Sequence, residues 1–144
     1  MPKYLVVDVE TTGLLDFKRP AEAEGQPYLA HLGMIFLDES LAIEREDSFI
    51  VKPDGWVMPA EAAAINGLST DYLSAHGRPV AVALDAYAAA IEAGYVLVAF
   101  NAQYDAKIMR GALRRADRDD LFDRTPNICT MRAATGVCKI PAAN

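Results

Sequence analysis

The segment at residues 4–9 constrains the fold of this chain more than any other. It reads YLVVDV, a run of aliphatic and β-branched residues that contains Asp8 and is followed directly by Glu10. Continuous apolar runs of this kind are typical of strands that are buried on both faces of a sheet. The segment therefore predicts a central strand, in an α/β fold, that ends in two carboxylates.

Strand and helix patterns alternate along the rest of the chain. Residues 29–37 and 43–51 have strand character and flank a short turn, which predicts an antiparallel hairpin. Helix patterns follow at residues 59–65, 79–93, 106–115 and 131–135. Further strand patterns lie at residues 95–100 and 127–130. The order βββαβαβα predicts a mixed sheet with three antiparallel strands first, parallel strands after them and flanking helices. The intervening residues 16–28 are rich in Pro, Gly, Glu and Gln and predict an exposed loop.

The charge of the chain limits how it can meet nucleic acid. Its 144 residues carry a formal net charge of −6, which argues against a protein that coats DNA through a basic face. A nuclease that contacts phosphate through bound cations has acids at its chemical centre, so an acidic chain is compatible with a nucleic-acid substrate.

The length suits one domain, residues 1–144. The N-terminal apolar run is too short and too charged for a signal peptide or a membrane span, which predicts a cytoplasmic protein without membrane contact.

Asp8 and Glu10 are two residues apart on the predicted first strand, so their side chains point to the same face. Two neighbouring carboxylates at the end of an apolar strand repel each other and lose hydration unless a proton or a cation intervenes. Oxygen ligands of this kind suit Mg²⁺ or Mn²⁺ rather than zinc. The alternative interpretation is that the strand ends at Val7 and that both acids are solvated or cap the turn at residues 11–13.

A third acid follows the strand pattern of residues 95–100. Asp105 comes after the turn at residues 101–104, where it is expected at the start of the next helix. A helix N-terminus favours negative charge, and the alternative interpretation is an ordinary N-cap. Residues at the carboxyl ends of strands commonly line the site of an open α/β sheet. If the first and fourth strands are neighbours, Asp105 approaches Asp8.

Three ordered segments carry a specific resemblance to a known family. Residues 8–14 read DVETTGL, residues 65–69 read INGLS and residues 101–105 read NAQYD. They resemble the first motif, the I-H-G-I-[ST] segment and the second motif of the DEDD, or DnaQ-like, 3′-5′ exonucleases, a family that includes the proofreading epsilon subunit of bacterial DNA polymerase III. Asn66 stands where the family commonly has His. The resemblance spans essentially the whole chain and implies a ribonuclease H-like fold.

The resemblance also implies a two-metal mechanism with Mg²⁺ or Mn²⁺, in which hydrolysis of DNA from the 3′ end releases nucleoside 5′-monophosphates. Asp8 would bridge both ions. Glu10 would hold the metal that carries the attacking water, and Asp105 would support the second metal, largely through water. These three acids are the predicted catalytic and metal-binding residues.

The same motifs imply the substrate contacts. The predicted substrate-binding residues are Thr11, Thr12, Gly13, Leu14, Ile65, Asn66 and Asn101. The backbone near Thr11 and Thr12 would receive the terminal 3′-hydroxyl, and Asn101 would order the turn of the second motif. Leu14 and Ile65 would wedge against the last base, with core packing as an equally weighted alternative. Near the second motif, Lys107, Arg110 and Arg114 suit either contact with the DNA backbone or, as the favoured interpretation, a solvated helix face.

The family's third motif has no counterpart after Asp105. That motif, His-x-x-x-x-Asp or Tyr-x-x-x-Asp, would supply a general base and a fourth carboxylate from a C-terminal helix. His31 and His76 do not match it, because neither has an Asp five residues later. The chain is therefore expected to be a C-terminally incomplete and nearly inactive piece, a short phage or prophage product, or one part of a site that a partner completes. Truncation is favoured, since an uncovered sheet face would leave a large apolar patch.

Two functions follow from these observations. The first is a 3′-5′ exonuclease of a bacterium or phage that acts on the 3′ end of single-stranded DNA in proofreading or repair. Its expected partner is a DNA polymerase subunit, and RNA is an alternative substrate. The second is a catalytically inactive exonuclease-like module for nucleic-acid binding or assembly.

Overall fold

A computed structural model describes residues 1–139 of the chain. Its strands are β1 (Tyr4–Thr11), β2 (Leu29–Leu37), β3 (Ile43–Ile50), β4 (Val96–Ala99) and β5 (Asn127–Cys129). Its α-helices are α1 (Ala60–Asn66), α2 (Thr70–His76), α3 (Val80–Glu92), α4 (Ala102–Arg115) and α5 (Thr130–Cys138), and one 3₁₀ turn forms at Phe122–Arg124. Residues 140–144, at the end of the predicted domain, lie outside the described part. No helix within residues 1–139 is long and apolar enough to cross a membrane.

The strands form one mixed sheet in the order β3-β2-β1-β4-β5. β1 pairs antiparallel with β2, and β2 pairs antiparallel with β3. β4 and β5 continue the sheet on the other side of β1 as parallel strands. The predicted architecture, with three antiparallel strands before the parallel ones, is confirmed, and β1 is the central strand.

The two faces of β1 differ in burial. Leu5, Val7 and Val9 are buried, whereas Tyr4 and Val6 on the alternate face are only half buried. The buried positions pack against apolar residues of α3 and α4 in one core cluster. The prediction that this strand is buried on both faces is therefore wrong for the described structure, because its alternate positions lie on the face opposite this core.

The helix α4 begins four residues before its predicted start. Its first turn forms because the backbone N–H groups of Tyr104 and Asp105 donate to the carbonyl of Asn101 at 2.9 and 3.3 Å. Asn101 occupies the N-cap position without a side-chain capping bond. Asp105 consequently lies inside the first turn, where its charge still benefits from the helix dipole, and the interpretation of Asp105 as an N-cap is wrong.

The β1–β2 connection, residues 12–28, is packed onto the protein rather than simply exposed. Gln26 is 2% exposed, and its amide nitrogen donates to the carbonyls of Asp16 at 2.7 Å and Pro20 at 3.1 Å. Ala21 is also buried. The ammonium group of Lys107, on α4, donates to the carbonyl of Phe17 at 2.8 Å. The predicted exposed loop is thus partly wrong, because internal hydrogen bonds and α4 satisfy its backbone.

Candidate active site

The three predicted acids meet where β1 extends past β4. β4 pairs with β1 only along residues 4–6, so the later part of β1 needs another hydrogen-bond partner on that side. β4 turns into α4 there, and Asp105 Oδ1 accepts a hydrogen bond from the backbone N–H of Val9 at 3.2 Å. The Asp105 carboxylate therefore lies beside the strand position between Asp8 and Glu10. The sequence predicted that Asp105 approaches Asp8 if the first and fourth strands are neighbours, and β1 and β4 are adjacent in the sheet.

These acids interact electrostatically. Asp105 is 5% exposed, and burial, followed by the negative charge of Asp8, raises its pKa to about 6 despite the hydrogen bond from Val9. Burial and the charge of Asp8 also raise the pKa of Glu10, which His31 partly opposes. Both shifts have the cause expected for carboxylates crowded together with little solvent.

The donor set matches a hard divalent cation in chemical type. It consists of carboxylate oxygens alone, which Mg²⁺ and Mn²⁺ prefer, and a cation would offset the charge repulsion that, after burial, raises both pKa values. Within residues 1–139, however, no group of three or more His, Cys, Asp or Glu side chains is arranged to hold a metal ion. Asp105 is turned toward the Val9 amide. The residues fit the ion by chemistry, while the carboxylates do not form a closed ligand cage.

A cavity of about 530 Å³ adjoins Glu10. Its lining includes Glu10, Thr11, Thr12, Gly13, Leu14, Ile65, Asn66 and Tyr104. Leu14 is 94% exposed and Ile65 is 89% exposed, so core packing is wrong as an explanation for these two apolar residues. The structure thus brings most of the predicted substrate-binding residues to one cavity next to Glu10, with apolar side chains free to contact a ligand.

Polar contacts shape the turn after β1. The Asn66 side-chain amide donates to the Thr11 carbonyl at 3.1 Å, and its oxygen accepts from Leu68 N–H at 2.9 Å. Thr12 N–H donates to the Tyr28 carbonyl at 3.1 Å, so this amide already has a partner. Asn101, by contrast, does not line the cavity. It orders the turn of the second motif through its backbone carbonyl, since its side chain makes no capping bond.

Two residues near the acids were missed by the sequence reasoning. His31 lies opposite Glu10 on β2, and its Nε2 is 2.7 Å from Ser48 Oγ. The register of β1 against β2 places it there, because cross-strand partners share a face, and the long β1–β2 connection gave no sequence signal for that register. Tyr104 directly precedes Asp105, and its hydroxyl oxygen is 2.7 Å from Thr11 Oγ1. Its place inside the second motif was the available signal.

The basic residues of α4 contact the protein itself. Lys107 donates to backbone carbonyls of the β1–β2 connection. Arg114 pairs with Glu22 at 3.1 Å, and Arg110 pairs with Asp120 at 3.5 Å. A solvated helix face is therefore a poor description of this surface, because these charges hold neighbouring segments in place, while contact with a DNA backbone stays a prediction.

Comparison with solved structures identifies the same architecture. Escherichia coli exonuclease I in complex with a dT13 oligonucleotide matches with a TM-score of 0.77 at 19% identity, over 100% of this chain and 32% of that chain. The E. coli enzyme with a dA16 oligonucleotide gives 0.75 at 19% identity, over 93% and 30%. A product-bound exonuclease I gives 0.76 at 18% identity, over 99% and 34%. The chain spans about a third of the length of these proteins and shares their ribonuclease H-like fold.

Sequence comparison gives the family. No curated protein is similar enough in sequence to match. The family model described as Exonuclease, RNase_T, matches residues 5–140, a range that includes all three acids and the cavity residues. This chain therefore belongs to the exonuclease family, as its resemblance to the DEDD, DnaQ-like exonucleases predicted.

Proposed function

We propose that this chain is the exonuclease domain of a protein that removes nucleotides from the 3′ end of single-stranded DNA and releases nucleoside 5′-monophosphates. The observation that carries the proposal is the Asp105 carboxylate, held by the Val9 amide between Asp8 and Glu10. Its raised pKa is what a site for a divalent cation would have before the cation binds.

The three acids differ in exposure, and the proposed role of each follows from that difference. Asp8 is exposed and Glu10 is half buried on the open side of β1, so both can bind Mg²⁺ or Mn²⁺ directly. When bound, a pair of such ions activates the attacking water and stabilises the leaving oxygen. Asp105 would add a further negative charge near these two acids, because the Val9 amide holds one of its carboxylate oxygens next to β1. The charge of Asp105 would thereby offset part of the desolvation free energy of a cation that binds next to an apolar strand.

The cavity is the proposed place for the terminal nucleotide. Leu14 and Ile65 are exposed apolar side chains that can pack against the last base. The backbone around Thr11 lies next to Glu10 and is the proposed contact of the 3′-hydroxyl. Single-stranded DNA is proposed as the substrate because exonuclease I, which shares the fold, is seen with DNA oligonucleotides. RNA is the alternative substrate.

The biological setting extends the proposal. We place the activity in proofreading or repair, in the cytoplasm of a bacterium or in a phage, with a DNA polymerase subunit as a partner. This setting rests on the resemblance of the three motifs to proofreading exonucleases. Exonuclease activity on end-labelled DNA does not depend on the setting.

A second candidate function is an inactive exonuclease-like module. The observation in its favour is that residues 1–139 contain no closed metal cage of three or more ligands. This candidate predicts that the natural reading frame beyond Asn144 lacks a His-x-x-x-x-Asp or Tyr-x-x-x-Asp motif. Finding either motif there would contradict it.

The deciding experiment is an end-labelled DNA assay with the product of the full natural reading frame. With Mg²⁺ or Mn²⁺, the wild type should shorten single-stranded DNA from the 3′ end. Asp8→Ala should lower the rate about 100-fold or more, because it removes a carboxylate from the charged centre. Asp54→Ala, in the exposed loop after β3, is the matched control and should retain wild-type activity. Equal rates for wild type and Asp8→Ala would overturn the proposal, and parallel RNA substrates would reveal the alternative preference.

A further inference from the structure

One face of α4 follows the β1–β2 connection in sequence order. The contacts pair Tyr104 with Gly13, Lys107 with Phe17, Gly111 with Ala21, Arg114 with Glu22 and Arg115 with Gln26. The α4 positions are spaced by three or four residues up to Arg114, which places them along one side of the helix. The helix that contributes Asp105 therefore also holds the segment that lines the cavity.

The first of these contacts lies at the cavity itself. The Tyr104 hydroxyl oxygen is 2.7 Å from Thr11 Oγ1 and 3.2 Å from the Gly13 carbonyl. Thr11 Oγ1 is also 2.8 Å from the same carbonyl. Two hydroxyl protons thus serve three short oxygen–oxygen contacts, so one hydroxyl donates to Gly13 and the other donates between the two side chains. This small network closes the turn that follows β1.

A second side chain, from a different helix, holds the same turn. Asn66, at the end of α1, donates to the Thr11 carbonyl at 3.1 Å. The turn is therefore held between α1 and α4, and Leu14 leaves it with 94% of its surface exposed. The Tyr104 ring is half buried and lines the cavity together with Ile65 and Asn66.

We propose that Tyr104 is a positioning residue that shapes the pocket for the terminal nucleotide by fixing the turn at residues 11–13. The inference rests on the proposed function for the identity of the ligand. The role of Tyr104 differs from those already proposed, because its hydroxyl group would fix the shape of the pocket without binding the metal or packing against the base. A fixed turn keeps Leu14 at the cavity that Ile65 also lines before the ligand arrives, which reduces the conformational entropy lost on binding.

The test measures equilibrium binding of thymidine 5′-monophosphate to the full natural protein by titration calorimetry in Mg²⁺. This probe is the product of the proposed reaction and is not turned over. Tyr104→Phe keeps the ring and removes the hydroxyl. We expect its dissociation constant to rise about three- to ten-fold, the effect of losing one net hydrogen bond that orders the pocket. Titration with Mg²⁺ alone should give the same metal affinity as wild type, because the acids are unchanged.

Tyr95→Phe is the matched control. It also removes a tyrosine hydroxyl that makes one hydrogen bond, to Glu44 at 3.0 Å, but at the opposite end of β1. Nucleotide binding should remain at the wild-type level in this control. Equal binding by wild type and Tyr104→Phe would overturn the inference, as would a wild type that binds no nucleotide. The DNA assay with Asp8→Ala decides the proposed function separately, so failure of the inference can be distinguished from failure of the proposed function.

Discussion

Asp105 combines burial, one amide hydrogen bond and two acidic neighbours. Its 5% exposure leaves little water to solvate the charge, and the Val9 amide supplies one donor. Its pKa of about 6 lies above the ordinary value of 3.8, so the folded protein binds a proton there more tightly than the unfolded chain does. In the absence of metal, this carboxylate opposes folding at neutral pH.

The pH dependence of stability follows from that shift. As pH rises from about 4 to about 6, the free energy of unfolding of the metal-free protein should fall, by at most about 3 kcal/mol from this residue. Asp105→Asn keeps an oxygen for the Val9 amide and cannot ionise. In EDTA at pH 7.5 we expect this variant to have a higher Tm than wild type, and we expect Mg²⁺ to raise the Tm of wild type more than that of the variant, which keeps Asp8 and Glu10. A lower Tm for the variant in EDTA would contradict this account.

Sequence reasoning was strongest for such charged residues. Asp8, Glu10 and Asp105 stand out because acids interrupt or follow apolar strands, a pattern visible without coordinates, and their metal-binding role stays a prediction. His31 was missed because its relation to Glu10 exists only in the register of β1 and β2. The exposure of Leu14 and Ile65 was equally hidden, since apolar side chains have the same sequence signal in a core and in a pocket.

At the level of elements, α4 has two roles. Ile108, Met109 and Leu113 are buried in the core, while another side of the helix holds the β1–β2 connection. The tightest approach is at Gly111, where an added Cβ would lie 2.5 Å from the Ala21 carbonyl oxygen. Glycine is required there because the backbone of the connection lies against the helix.

Substitution at Gly111 tests this packing. Gly111→Ala should lower the free energy of unfolding by about 1–3 kcal/mol, since the contact is with backbone and the connection has to shift. Gly136→Ala is a matched control in α5, where a Cβ would meet nothing within 4 Å. It should be neutral or stabilise by up to about 1 kcal/mol through helix propensity. Urea unfolding of both variants measures the difference, and equal stability would show that the connection is not packed tightly on α4.

The boundaries of the elements were less predictable than their order. The hairpin and the alternation of strands and helices follow from hydrophobic periodicity, which the chain shows clearly. The early start of α4 depends on the Asn101 carbonyl, and the packing of residues 12–28 depends on Gln26 and Lys107. A sequence does not distinguish polar side chains that form hydrogen bonds with the backbone from polar side chains that face solvent.

The whole molecule presents an apolar row on the open side of its sheet. Cross-strand partners place Ile35, Val6, Val98 and Ile128 side by side across β2, β1, β4 and β5. The first three are half buried and Ile128 is 41% exposed. The described part of the chain therefore has a partly exposed apolar row on this face, and the acids Asp8 and Glu10 lie along the same face of β1.

This row should be detectable as a hydrophobic surface. We expect the 144-residue chain to bind the dye ANS, and Ile128→Ser to reduce the fluorescence while changing stability by less than about 0.5 kcal/mol. Val57→Ser, at a 68% exposed position in a loop, is the control and should leave dye binding unchanged. If Ile128→Ser and wild type bind ANS equally, the dye does not report on this face.

The contacts along α4 also limit how the length of this chain can vary. One residue inserted into or deleted from the middle of the helix would rotate everything beyond it by about 100°. Arg114 and Arg115 would then face away from residues 22–27 while Tyr104 and Asp105 stayed in place, so the connection would be anchored at one end only. Substitutions in α4 can be compensated locally, but insertions and deletions cannot. Related chains should therefore differ in length before residue 102 or after residue 115 rather than between them.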